Sequence, residues 1–148
     1  MNSRVCFDAS LVIALLIPEQ FSKSSLALWS KWVQDDIEVV APQLLRYEVT
    51  SSLYRKAAAK QVSSDDAKEA LNRFLSMDIS YIDYIALSAR AFELAEQFKR
   101  PNTCDSHYLA LAEHLGCPFW TLDERLYNAT QKAFDLINWV RAVKNSFV

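Results

Sequence analysis

The feature of this sequence that most restricts its fold is a near absence of glycine: one residue, Gly116, in 148. Glycine enters left-handed backbone at no steric cost and lets the main chain approach a phosphate closely. A P-loop or a dinucleotide fingerprint needs several glycines at fixed spacing, so both are excluded. With only four prolines besides, a turn-rich sandwich or barrel is disfavoured and helices should dominate. Hydrophobic residues at 51% and charged residues at 23% can build an ordinary globular core. The length suits one domain, residues 1–148.

Lys and Arg total 16 against 18 Asp and Glu, a formal net charge of −2. The overall basic field of a nucleic-acid binder is missing. A phosphate-rich substrate would need local Arg and Lys or a bound cation. The three cysteines, in Val-Cys-Phe, Thr-Cys-Asp and Gly-Cys-Pro-Phe settings, read as reduced, buried thiols of a cytosolic protein. Cys104-x2-His107 and His114-x2-Cys117 look superficially like zinc spacing. Residues 104–115 read as one helix, however, which puts the two histidines roughly 10 Å apart. Ligands of one zinc must each lie about 2 Å from it. The apolar run at 11–17, bracketed by Asp8 and Glu19, falls well short of the roughly 20 residues that span a bilayer. The expectation is a cytoplasmic protein with no membrane association.

Apolar periodicity and turn residues predict strands at 4–7, 37–40, 79–82, 119–122 and 135–140. Helices are predicted from Asp8 to Ile17, over 21–34, 43–60, 64–76 and 84–98, from a Thr103 or Asp105 cap to Gly116, and over 123–129. On the second helix, Leu26, Leu28, Trp29 and Trp32 should lie on or near the buried side. Short apolar strands alternating with long helices are the pattern of an α/β fold. It should have a short-stranded, mainly parallel sheet flanked by helices.

In such folds, sites form at the carboxyl ends of the strands. Asp8 follows the first strand and Asp123 the fourth, and parallel strands place both on one sheet edge. Each also reads as a helix N-cap. Glu48 projects between Leu44 and Leu45, on the apolar face of its helix, where a carboxylate needs an arginine partner or a metal. Asp105 falls in the buried arc of Tyr108, Leu109, Ala112 and Leu115, in a first turn where the helix dipole also favours an acid. Clustered carboxylates repel unless a cation holds them, and all-oxygen donors suit Mg²⁺ or Mn²⁺ over zinc.

Four segments carry these acids in order: Phe7-Asp8-Ala9-Ser10, Arg46-Tyr47-Glu48-Val49, the run from Cys104-Asp105 to Ala112, and Trp120-Thr121-Leu122-Asp123-Glu124-Arg125-Leu126. Together, across residues 4 to 140, they resemble the PIN-domain ribonucleases, and among those the VapC toxins of prokaryotic toxin–antitoxin pairs. The resemblance implies a PIN-like three-layer α/β/α fold and an acidic pocket of Asp8, Glu48, Asp105 and Asp123 that binds one or two Mg²⁺ or Mn²⁺ ions. Ser10 and Thr121 would hold water or a neighbouring carboxylate. The implied chemistry is endonucleolytic hydrolysis of RNA, with a cognate antitoxin protein as partner and a homodimer as the common assembly.

Arg46, Arg55 and Lys56, with Lys60 on the same helix and Lys99 and Arg100 ahead of Asp105, are candidate phosphate contacts. They also read as a solvated helix face. His107 and His114 read as surface or packing residues, and the four tryptophans as core or interface. Two alternatives are weighed. A dehalogenase-like phosphatase using Asp8 as nucleophile wants a second Asp where Ser10 stands. A catalytically silent PIN module that binds RNA or protein would retain the fold without the cleavage.

Overall fold

The computed structural model describes residues 3–140; the ends of the expected 1–148 domain lie outside that range. Twelve elements follow in chain order: β1 (Arg4–Phe7), α1 (Ala9–Leu16), α2 (Ser22–Gln34), β2 (Glu38–Ala41), α3 (Leu44–Ala58), α4 (Ser64–Leu75), β3 (Ser80–Tyr81), α5 (Ala86–Gln97), α6 (Cys104–Leu115), β4 (Phe119–Thr121), α7 (Glu124–Thr130) and β5 (Ile137–Trp139). Among the described residues, no helix is long and apolar enough to cross a membrane.

Local chemistry explains most of the boundaries. Helix α1 begins at the extended Asp8, whose carboxylate accepts the Ser10 N–H, and ends at Ile17, held extended ahead of Pro18. Helix α4 is capped by Ser63, whose Oγ accepts the Asp66 N–H at 3.0 Å. Four helices end in one way, with an N–H bonding back to a carbonyl five residues earlier: Ile37 to Trp32, Gln61 to Lys56, Arg100 to Ala95 and Cys117 to Ala112. This closure needs a left-handed residue just before the donor. Gly116 supplies it after α6, but Asp36, Lys60 and Lys99 supply it elsewhere. A chain with one glycine therefore accepts backbone strain at three helix ends.

All five strands run parallel, in the order β3-β2-β1-β4-β5. The chain leaves β1 for β2 and β3 on one side, then returns to place β4 on the other. The gap at the carboxyl ends of β1 and β4 is thus the topological switch point, where α/β sheets open a crevice. Phe7 pairs in register with Trp120, which brings Asp8 beside Thr121. Helix α6 packs on α5, β1 and β4, whereas α1 packs on α2, α3 and α4. The sheet is the middle of three layers. Its core includes Phe7 against Trp29 and Trp32, and Tyr108 stacked on Phe119.

The departures from the predicted pattern are small. Strand β3 forms only at Ser80–Tyr81; the Ile82 N–H still reaches the Ala41 carbonyl at 2.9 Å. Leu26, expected near the buried side of α2, is exposed, because the side of α2 turned to the core carries Ser24, Ser25, Leu28 and Trp32. Thr103 occupies the α6 cap position without a side-chain bond. Asn102 instead accepts the Cys104 N–H at 2.9 Å, and Asp105 is engaged elsewhere.

Gly116 allows a direct test. Its φ is 63° and a Cβ there would meet nothing within 4 Å, so Gly116→Ala should cost only backbone strain. Thermal or denaturant unfolding should show a loss of about 1 kcal/mol; no loss would mean that the turn does not require the left-handed residue.

Candidate active site

The site grows from the switch point. Asp8 is buried, 7% exposed, and two hydroxyls hold its two oxygens. Ser10 Oγ donates to Oδ1 at 2.5 Å and accepts the Leu122 N–H at 3.0 Å. Thr121 Oγ1 donates to Oδ2 at 2.6 Å and accepts the Asp123 N–H at 3.0 Å. Each hydroxyl spends its one proton on Asp8 and takes a main-chain N–H from the end of β4. Ser10 and Thr121 thereby stitch the two strand ends together around one carboxylate.

Asp123 caps α7 through the Leu126 N–H at 3.1 Å. Glu48 lies part-buried on α3; the sequence left an arginine or a metal open as its partner, and the side chain that bonds it is a tyrosine. Tyr108 O–H, reaching across from α6, donates to Glu48 Oε1 at 2.5 Å. Asp105, in the first turn of α6, faces Arg100, with Nη2 to Oδ2 at 3.3 Å. Tyr108 was missed as a site residue because it reads individually as core, and Arg100, read as a candidate phosphate contact, is placed instead against Asp105. Tyr108 stands one helical turn beyond Asp105, which is the signal that could have found it.

Electrostatics tie the four positions together. Burial, opposed by the hydroxyl bonds and assisted by the charges of Asp105 and Glu48, pushes Asp8 up to about 7. Burial likewise raises Glu48, opposed by the Tyr108 bond and assisted by the Asp105 charge. Asp105 is raised by burial, lowered by Arg100 and raised again by Asp123. Burial first, then the Glu48 charge and hydrogen bond, hold the Tyr108 phenol protonated far above its usual range. Asp8, Glu48 and Asp105 are thus each raised by the charge of another carboxylate.

As placed, no three His, Cys, Asp or Glu side chains among the described residues converge on one point. Asp8 nevertheless fits a cation. It is a desolvated carboxylate whose bonds come from hydroxyls and an amide, with no Lys or Arg ion pair among the described residues. Such an anion is costly unless a positive charge arrives. The surrounding donors are oxygens, the set that suits Mg²⁺ or Mn²⁺.

Beside the acids lies a cleft of about 500 Å³ lined by Ser10, Glu48, Asp123, Arg55 and Lys56, among others. Glu48, Ser52, Arg55 and Lys56 share one face of α3 by helical spacing. Arg46 falls on the opposite face, stacks over Tyr47 at 5.1 Å and lines a separate groove with Tyr54, Leu71 and Leu75. Of the candidate phosphate contacts, Arg55 and Lys56 thus share the cleft with the acids, Arg100 pairs with Asp105, and Arg46 lies apart. The histidines are packing residues: the His107 ring bonds the Thr103 carbonyl at 2.7 Å, and His114 lies against Tyr84.

Comparison with known proteins places the chain in a family. The PIN domain family model matches residues 5–132, and the chain belongs to the PIN-domain family. It is 29% identical over 126 residues to ribonuclease VapC3 of Pyrobaculum aerophilum, covering 83% of this chain and 92% of that one. Two crystal structures share the fold. PAE2754 of P. aerophilum superposes with a TM-score of 0.70 at 21% identity, over 97% of this chain and 93% of its own. Mycobacterium tuberculosis VapC20, a toxin that cleaves the sarcin–ricin loop, gives 0.64 at 17%, over 88% and 95%.

The burial of Asp8 makes stability depend on pH. Between about pH 4 and about 7, folded Asp8 keeps a proton that the unfolded chain has released. Its contribution is therefore fully present below about pH 4 and is lost as pH rises through about 7, on the order of a few kcal/mol. Glu48 and Asp105, also raised, act in the same direction. Without added metal, the melting temperature should be lower near pH 8 than near pH 5.5, and Asp8→Asn should flatten the difference. A slope that survives Asp8→Asn intact would assign it to other groups.

Proposed function

We propose that this protein is a Mg²⁺- or Mn²⁺-dependent endoribonuclease, the toxin of a type II toxin–antitoxin pair. The observation that carries the reading is the buried Asp8 at the switch point, which forms no ion pair with Lys or Arg among the described residues. It is electrostatically linked to Glu48 and Asp105 and lies beside a cleft bearing Arg55 and Lys56. The family membership and the ribonuclease relative support the same chemistry.

Asp8, Glu48, Asp105 and Asp123 are the residues that would hold the cation. When bound, it would neutralise charge on the scissile phosphate and make water a better nucleophile at neutral pH. Ser10 and Thr121 keep both Asp8 oxygens in fixed directions, and Tyr108 does the same for one oxygen of Glu48. Arg55 and Lys56 are placed to hold RNA phosphates along the cleft, which supplies locally the positive charge that the chain lacks overall. No side-chain nucleophile is required.

Cleavage of a short structured RNA by the purified chain, with and without Mg²⁺, tests this. Asp8→Asn should reduce the rate by at least about a hundredfold while leaving a folded protein. Arg55→Gln with Lys56→Gln should weaken RNA binding and flatten its salt dependence. Cleavage that persists in Asp8→Asn, or in excess chelator, would overturn the assignment. A chain that binds RNA without cleaving it under any metal would be the silent module.

A toxin of this kind requires a neutralising protein. The partner proposed is an antitoxin whose Arg or Lys enters the acidic pocket and occupies the carboxylates that Mg²⁺ needs. Inhibition by that segment should weaken as Mg²⁺ rises at constant ionic strength. Inhibition indifferent to Mg²⁺ would rule out competition between the two cations.

A further inference from the structure

Arg100 lies in the link between α5 and α6, and the course of that link is tightly set. Lys99 is left-handed with φ 54°, the Arg100 N–H closes on the Ala95 carbonyl at 2.9 Å, and Pro101 follows. The turn directs the guanidinium inward. Its side chain is 13% exposed, with Nη2 3.3 Å from Asp105 Oδ2, and its buried Nε meets no acceptor among the described residues. A guanidinium that surrenders most of its water for one long carboxylate contact and an unmet N–H is poorly placed for stability alone. Among the described residues, no Lys or Arg forms an ion pair with Asp8, Glu48 or Asp123. Arg55 and Lys56 line the open cleft instead.

We propose that Arg100 is the resident counter-ion of the acidic pocket: it occupies Asp105 when no divalent cation is bound and yields that carboxylate when one binds. The inference rests on the cation site proposed above. The physical reason is a choice between two positive charges. Four mutually repelling carboxylates at a folded switch point need compensation even without metal, and a guanidinium fixed by the chain provides one unit of it. A divalent ion carries twice the charge, so it would displace the guanidinium once its concentration is sufficient. Arg100 therefore sets a threshold for loading. It is a positioning residue that lowers cation affinity in exchange for a pocket that stays ordered when empty.

Calorimetric titration of the whole chain with Mn²⁺, alongside melting of the metal-free protein, tests the proposal without any activity measurement. Arg100→Gln should bind Mn²⁺ on the order of tenfold more tightly, the effect of removing one unit charge a few ångströms away in partly solvated surroundings. It should also melt lower without metal and gain more from Mn²⁺ than the wild type. Arg100→Lys should bind nearly as the wild type does, and so should Lys99→Gln, which removes a neighbouring charge outside the pocket. Unchanged or weaker Mn²⁺ binding in Arg100→Gln overturns the proposal. Should that variant not fold, the wild-type Arg100 Nε resonance decides: it should move saturably with Mg²⁺, and a resonance indifferent to bound Mg²⁺ is equally fatal. A wild type that binds no Mn²⁺, or binds it as well after Asp8→Asn with Asp105→Asn, instead removes the cation site itself.

Discussion

The structure is organised around one desolvated carboxylate. Asp8 stands where β1 ends, in the gap opened because the chain places β2 on one side of β1 and β4 on the other. Burying it is unfavourable, and the fold meets that cost with two hydroxyls, Ser10 and Thr121, whose protons both go to Asp8. Because the same hydroxyls accept the Leu122 and Asp123 N–H groups, the anion's support also locks β4 into α7 and sets the place of Asp123. Geometry and electrostatics of the site are therefore a single arrangement.

The other acids solve the same problem differently, and the differences define their roles. Glu48 takes a phenol from a tyrosine stacked in the core, a neutral partner that fixes direction without cancelling charge. Asp105 takes a guanidinium, a charged partner that offsets its charge. Asp123 gives one oxygen to a helix N-terminus. Negative potential is thus concentrated rather than dispersed. In a chain with a net charge of −2, Arg55 and Lys56 concentrate positive charge on the cleft face of α3, beside the acids.

The scarcity of glycine has its own structural consequence. Helix ends that usually rely on glycine are closed here by Asp36, Lys60 and Lys99 in left-handed conformation. Two of these strained turns lead directly into something that matters. The turn at Asp36 delivers the chain into β2, and the turn at Lys99 aims Arg100 at Asp105. Phosphate recognition through bare backbone is closed to such a chain. Recognition through carboxylates, a cation and long basic side chains remains open.

Much of this was legible in the amino-acid order, because the relevant signals are local. The alternation of short apolar strands and amphipathic helices determined the α/β class. Asp8 and Asp123 announced themselves as caps following strands, and Glu48 and Asp105 as acids on apolar helix faces. The motif order resembled the PIN domain, which the family match then established. What the order of residues left open was every contact between elements distant in the chain. Tyr108 meets Glu48 across 60 positions and Thr121 meets Asp8 across 113. Strand β3 proved shorter than its apolar run, since pairing at a sheet edge depends on its neighbour. Arg46 and Arg55 look equivalent as cations on one helix, yet only the packing of α3 decides which faces the acids. Arg100 reads as one candidate phosphate contact among several until a left-handed turn directs it inward to Asp105. Side-chain chemistry and period are written in sequence; which charges become partners is decided by desolvation and distance, and those exist only once the chain has folded.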